Sequence, residues 1–97
     1  MGKITHEEIV YINVDDELHQ TAKGMISDDY KERFIAEYKQ LVIRADRLTD
    51  IINKAYENKL GFNLTCSIEL LDRQLTYMCG YMAILEERAK AEGINLD

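Results

Sequence analysis

The chain has 97 residues, 46% of them hydrophobic and 31% charged, with a formal net charge of -6, the make-up of one soluble domain rather than a disordered chain. No apolar run approaches the ~20 residues that span a bilayer, and "MGKITHEE" lacks the apolar core of a secretion signal, so no membrane contact and a cytoplasmic location are expected. An acidic chain without a basic stripe also argues against nucleic-acid polymers as ligands, because phosphate contacts dominate that affinity, while a few arginines suffice for a small anion.

The charge is uneven. Residues 1–29 carry two lysines against seven acids, whereas residues 30–97 carry ten basic and eleven acidic residues. Residues 1–26 are read as an acidic N-terminal segment, in which "EEIVYINV" has the β-branched density of a short strand and "DDELHQTAKG" is polar. One strand cannot stand alone, so the segment is expected to be β or irregular: paired with a copy from another subunit, laid on the helices, or left free.

Proline is absent, and Gly24 and Gly61 mark joints. Residues 27–97 are predicted to form a helical hairpin, with helix A over about 28–58 and helix B over about 66–92. Ser27 is the expected N-cap of helix A, with Asp28 and Asp29 in its first turn where carboxylates favour the helix dipole. Phe34, Tyr38, Leu41, Ala45, Leu48, Ile52 and Ala55 then recur at alternating spacings of 4 and 3, a heptad seam. The linker carries Phe62 and Leu64. Helix B is expected to be capped by Thr65, or by Cys66 with Glu69, and to end at Gly93. Its seam is Ile68, Leu71, Leu75, Met78, Met82, Leu85 and Ala89. Two helices of matching length and a short linker predict an antiparallel pair, seam against seam.

A two-helix hairpin of this size buries too little surface to stand alone. Turning about 100° per residue from Arg73, the seam of helix B clusters near 160°, while Leu70, Tyr77, Tyr81 and Ile84 fall between roughly 20° and 80°, with Gly80 close to Arg73 and Thr76 just beyond. Helix B thus has a second apolar stripe, which predicts self-association through Leu70, Gly80, Tyr81 and Ile84 into a helical homo-oligomer. Gly80 suits close approach of a backbone or ligand, or relief of crowding between Tyr77 and Tyr81. Arg73 with Thr76 three residues on suits a phosphate, while periodicity alone favours Arg73 paired with Glu69 on a solvated face.

Cys66 and Cys79, thirteen positions apart on one helix, lie roughly 20 Å apart and read as free thiols. His6 and His19 match no zinc spacing, so no metal and no cofactor are expected. No nucleophile, base and orienting group recur at recognisable spacing, which argues against an enzyme and leaves no catalytic residue to name.

The stretches "YKERFIAEYKQL" and "CSIELLDRQLTYMCGYMAILEERAKAEGI" resemble a family of small helical phage proteins, related to proteins of crAss-like phages, that includes the anti-CBASS and anti-Thoeris cyclic-nucleotide sponges. The resemblance covers residues 30–93 and rests on the pattern "ERxxxEYxxL" followed by "ELLxxQLxxMxxYxxILxER". It implies a homo-oligomer, a hexamer built as a trimer of dimers, acting in the host cell cytoplasm. It binds cyclic oligonucleotide immune signals without cleaving them. It places Arg73, Thr76 and Tyr77 at a cyclic trinucleotide pocket on the threefold axis. A second pocket for cyclic dinucleotides or cyclic ADP-ribose isomers takes an aromatic residue from the first helix region, for which Tyr30, Phe34 and Tyr38 are the candidates. The alternative reading is a non-enzymatic helical oligomer that binds a phage or host protein through its second apolar face.

Overall fold

The computed structural model describes residues 17–97, and the described residues form three helices and no strand. Helix α1 runs through residues 17–25, α2 spans Tyr30–Tyr56 and α3 spans Ile68–Glu92. The strand expected at "EEIVYINV" lies outside the described residues. Of the polar stretch after it, expected to be β or irregular, the described residues 17–24 are helical. Leu18, Thr21 and Gly24 recur every third residue, which places them along one face of a helix and gives α1 a side to dock. The chain divides between Gln40 and Leu41, inside α2, into two compact units.

In the first unit, α1 packs on the opening turns of α2. A Cβ built on Gly24 would lie 2.7 Å from Cβ of Ala36, so only a glycine permits this approach, and Ala36 is itself buried. Gly24 therefore serves as a contact within α1 rather than as a joint. Thr21 is buried: its hydroxyl donates to the Leu18 carbonyl at 2.6 Å and accepts from Gln40 Nε2 at 3.3 Å. A buried hydroxyl with both roles filled avoids the penalty of an unmet polar group. The helix closes through i→i−3 bonds from Ile26 and Ser27 to the carbonyls of Lys23 and Gly24.

The cap of α2 is Asp29, two residues later than expected. Asp29 Oδ1 accepts from the Lys31 amide at 3.1 Å, while its carbonyl accepts the first helical bond from Arg33. A carboxylate satisfies an orphan amide and the positive end of the helix dipole together, which a serine does less well. Ser27 instead ties the linker. It accepts from the Asp29 amide and donates to Glu32 Oε1, and its carbonyl accepts from Arg33 Nη1 at 2.7 Å.

In the second unit, α2 runs to Tyr56 and is closed at Asn58. Asn58 is left-handed with φ 57°, the Lys59 amide reaches back to the Lys54 carbonyl at 2.8 Å, and the Asn58 amide reaches Ala55. This is a Schellman closure with asparagine, the non-glycine residue that best tolerates the conformation. Ser67 caps α3, accepting from the Leu70 amide at 3.1 Å, in place of the Thr65 or Cys66 expected. A cap must sit one residue before the first helical position with extended backbone, and Ser67 does, at φ -72° and ψ 153°. Gly93 ends α3 as expected, left-handed at φ 70°, with the Ile94 amide bonded to Ala89 at 2.8 Å.

Both seams are the sheltered sides of their helices. In α2 the buried residues include Phe34, Leu41, Ala45 and Ile52, all on the seam, with Ala36 on the side taken by α1. In α3 Leu85 and Ala89 are buried and the other seam residues are half-buried, while nearly every residue off the seam is exposed. Leu85, 1% exposed, represents about 1.5–3 kcal/mol of burial by itself.

Candidate functional site

The off-seam face of α3 is where the candidate residues lie. Ser67 starts the helix, and from there residues 70, 73, 77, 80, 81 and 84 advance by threes and fours along one side. Tyr77 is 74% exposed, Ile84 54% and Leu70 49%, and Tyr81 is exposed as well. A stripe of four large apolar side chains facing outward is the kind of patch that marks an interaction surface. Gly80 sits among them, and apart from its two chain neighbours and its own helix backbone no described residue comes within 4 Å of the place where a Cβ would be.

Arg73 is exposed and forms no ion pair with Glu69 or with any other carboxylate among the described residues. Its guanidinium offers a fork of donors suited to an anion. Thr76 is also exposed, and its hydroxyl donates to the Asp72 carbonyl at 3.0 Å, one turn back. That bond occupies the proton. To donate to a ligand, the hydroxyl must turn away from the carbonyl, which a single χ1 rotation accomplishes.

Beneath this pair lies a contact that periodicity does not reveal. The Tyr56 hydroxyl, at the end of α2, donates to Asp72 Oδ2 at 2.6 Å. The hydrogen bond to Asp72 pushes the Tyr56 pKa above its ordinary value of 10.0, aided by desolvation and by the negative charges of Asp72 and Glu69. The carboxylate next to Arg73 in sequence is thus turned toward a tyrosine. The sequence signal for this was only a tyrosine ending one helix and an aspartate one turn into the next.

The second group of candidates divides. Phe34 is 3% exposed and belongs to the interior of its helix face; Tyr38 is half-buried; Tyr30 is exposed and meets Phe34 edge to face with ring centroids 6.2 Å apart. Of the three, Tyr30 alone presents a broad accessible ring. Met25 and Ile26 are exposed in the same unit. In α2, Arg47 has a buried Nη2 without a hydrogen-bond partner among the described residues, a feature no spacing rule signals.

Cys66 and Cys79 are both free and exposed. Among the described residues no group of three histidine, cysteine or acidic side chains is placed to hold a metal ion, and no helix is long and apolar enough to cross a membrane.

Comparison with known proteins adds one finding. The family model of Sequestin matches residues 28–91, which takes in α2, the linker and all of α3 but its last residue and leaves out α1. No curated protein and no solved structure matches the chain.

Proposed function

The chain belongs to the Sequestin family, the phage cyclic-nucleotide sponges, and on that premise we propose that it captures cyclic trinucleotide immune signals with Arg73, Thr76 and Tyr77 of several copies. Sponges of this family bind rather than transform their ligands. The proposed ligand is an adenine-rich cyclic trinucleotide, and the benefit to a phage is that effectors of CBASS or Thoeris defence are starved of their activator.

The observation that carries the reading is Arg73: an exposed guanidinium without a carboxylate partner among the described residues, set in an exposed apolar stripe. Copies brought together on that stripe, through Leu70, Gly80, Tyr81 and Ile84, place several like charges near one axis. Like charges at such range repel by about 1 kcal/mol per pair even in water, and a ring of phosphates reverses the sign. Each phosphate gains charge-assisted bonds from the arginine fork, and Tyr77 offers a ring on which a base can stack. The assembly proposed is a hexamer, a trimer of dimers, of hairpins paired seam to seam. Tyr30, with Phe34 and Tyr38 behind it, is proposed for a second pocket that takes cyclic dinucleotides or cyclic ADP-ribose isomers.

The test is calorimetric titration with cyclic triadenylate and with cyclic dinucleotides, followed by heat release and chromatography of the ligand. Tight binding with the ligand recovered intact is expected, and at a hundredfold excess over Kd the fold gains about 2.7 kcal/mol of stability, visible as a higher Tm. Absence of heat and of Tm shift with every cyclic oligonucleotide would remove this reading and leave a face suited to a protein partner. Recovery of linear products would make the protein an enzyme instead.

A further inference from the structure

Asp72 occupies an awkward place for an anion site. It precedes Arg73 in the chain and lies one turn before Thr76, whose hydroxyl already bonds its carbonyl. Side chains four apart on a helix reach one another. An unheld carboxylate at this position can therefore take the Thr76 hydroxyl, and its charge, one residue from Arg73, acts on any anion held by that guanidinium. Both oppose a bound phosphate, through competition for the donor and through repulsion. In the structure the carboxylate is held elsewhere: Arg73 has no carboxylate partner among the described residues, and Asp72 Oδ2 accepts from the Tyr56 hydroxyl at 2.6 Å.

We infer that Tyr56 is a positioning residue for the α3 anion site, whose hydroxyl holds the Asp72 carboxylate toward the end of α2 and so leaves Arg73 and Thr76 open to a phosphate. This rests on the cyclic trinucleotide reading given above. Tyrosine suits the task chemically. It donates a hydrogen bond yet stays neutral at physiological pH, so it restrains the carboxylate without competing for the phosphate, as a lysine or arginine there would. The phenol also spans from one helix to the other while its ring stays largely in solvent, at 58% exposed, so little core packing depends on it. The raised Tyr56 pKa agrees with a proton held firmly between phenol and carboxylate.

The experiment measures Kd for cyclic triadenylate, with Tm alongside, in the full chain and in Tyr56→Phe, Asp72→Asn and the double variant. Releasing a carboxylate a few ångströms from the phosphate is worth roughly 1 kcal/mol, so Tyr56→Phe is expected to weaken binding at least about fivefold. Asp72→Asn is expected to bind at least as tightly as the natural chain. The double variant is expected to regain most of the loss, because the carboxylate that Tyr56 restrains is gone. A tyrosine that merely braces the helices predicts the opposite, a double variant no better than Tyr56→Phe. Equal Kd in the natural chain and Tyr56→Phe, or no rescue by Asp72→Asn, overturns the inference while leaving the trinucleotide site standing. Failure of the natural chain to bind any cyclic oligonucleotide overturns both.

Discussion

Gly24 and Ala36 share a space that has no room for one more carbon: a Cβ on Gly24 would stand 2.7 Å from Cβ of Ala36. That contact is where α1 meets α2 within the first unit, and it sets the distance at which Thr21 and Gln40 exchange their hydrogen bond. A small-residue contact of this kind lets two helices approach until backbone and short side chains touch, and it is intolerant of added volume.

Gly24→Ala tests this directly. Helix propensity alone favours alanine by about 1 kcal/mol, whereas forcing a methyl into a filled space costs about 1–3 kcal/mol. The clash is with a carbon fixed to the α2 backbone and unable to swing aside, so net destabilisation is expected. Urea denaturation should show a lower midpoint for Gly24→Ala and a lower one still for Gly24→Val. A raised midpoint for Gly24→Ala would mean that α1 does not sit against Ala36.

Gly80 gives the reverse case. Apart from its chain neighbours and its own helix backbone, no described residue lies within 4 Å of its missing Cβ, so in the isolated chain Gly80→Ala should stabilise α3 by about 1 kcal/mol. In the proposed oligomer the same site faces another copy, and Gly80→Leu is expected to yield a smaller species by light scattering. An unchanged mass for Gly80→Leu would exclude this face as the interface.

Arg73→Ala should abolish binding of cyclic triadenylate, while the oligomer persists at equal or greater stability without ligand, because the mutual repulsion of converging guanidiniums disappears. Arg73→Lys keeps the charge but loses the fork, and is expected to weaken binding rather than eliminate it. Titration calorimetry on the two variants checks both; full affinity in Arg73→Ala would place the site elsewhere.

Alkaline pH offers a test that requires no ligand. Tyr56 holds its proton more firmly in the folded chain than an ordinary tyrosine does, chiefly through its bond to Asp72. Its folded pKa lies above the unfolded one, so the stability it contributes is fully present below the ordinary tyrosine value of 10.0 and is lost as pH rises through the raised value. The difference in tyrosinate absorbance between the natural chain and Tyr56→Phe should titrate with a midpoint above the ordinary value. Asp72→Asn should bring that midpoint down, and a midpoint at or below the ordinary value in the natural chain would contradict the hydrogen bond.

The sequence determined what is local. The seam of α3, from Ile68 to Ala89, is legible because burial on one side of a helix repeats every three to four residues, and each residue on that list is sheltered in the structure. Gly93 was legible as a stop because only glycine enters the left-handed region at negligible cost. The exposed stripe of Leu70, Tyr77, Tyr81 and Ile84 followed from the same periodicity. Caps are less legible: Asp29 and Ser67 lie one or two positions beyond the expected residues, because several polar residues in a row satisfy the same local rule and only backbone dihedrals choose among them.

Only the tertiary structure decided the rest. The polar stretch of α1 has little propensity signal of its own, and its helix is supported by Gly24 against Ala36 and Thr21 against Gln40, contacts with residues well beyond its own turns. In the same way Asp72, half-buried, turns its carboxylate toward the Tyr56 hydroxyl, sixteen positions earlier, and forms no ion pair with Arg73. Helical periodicity fixes which side of a helix a residue occupies; which neighbour it meets there depends on chain segments that no local pattern brings together.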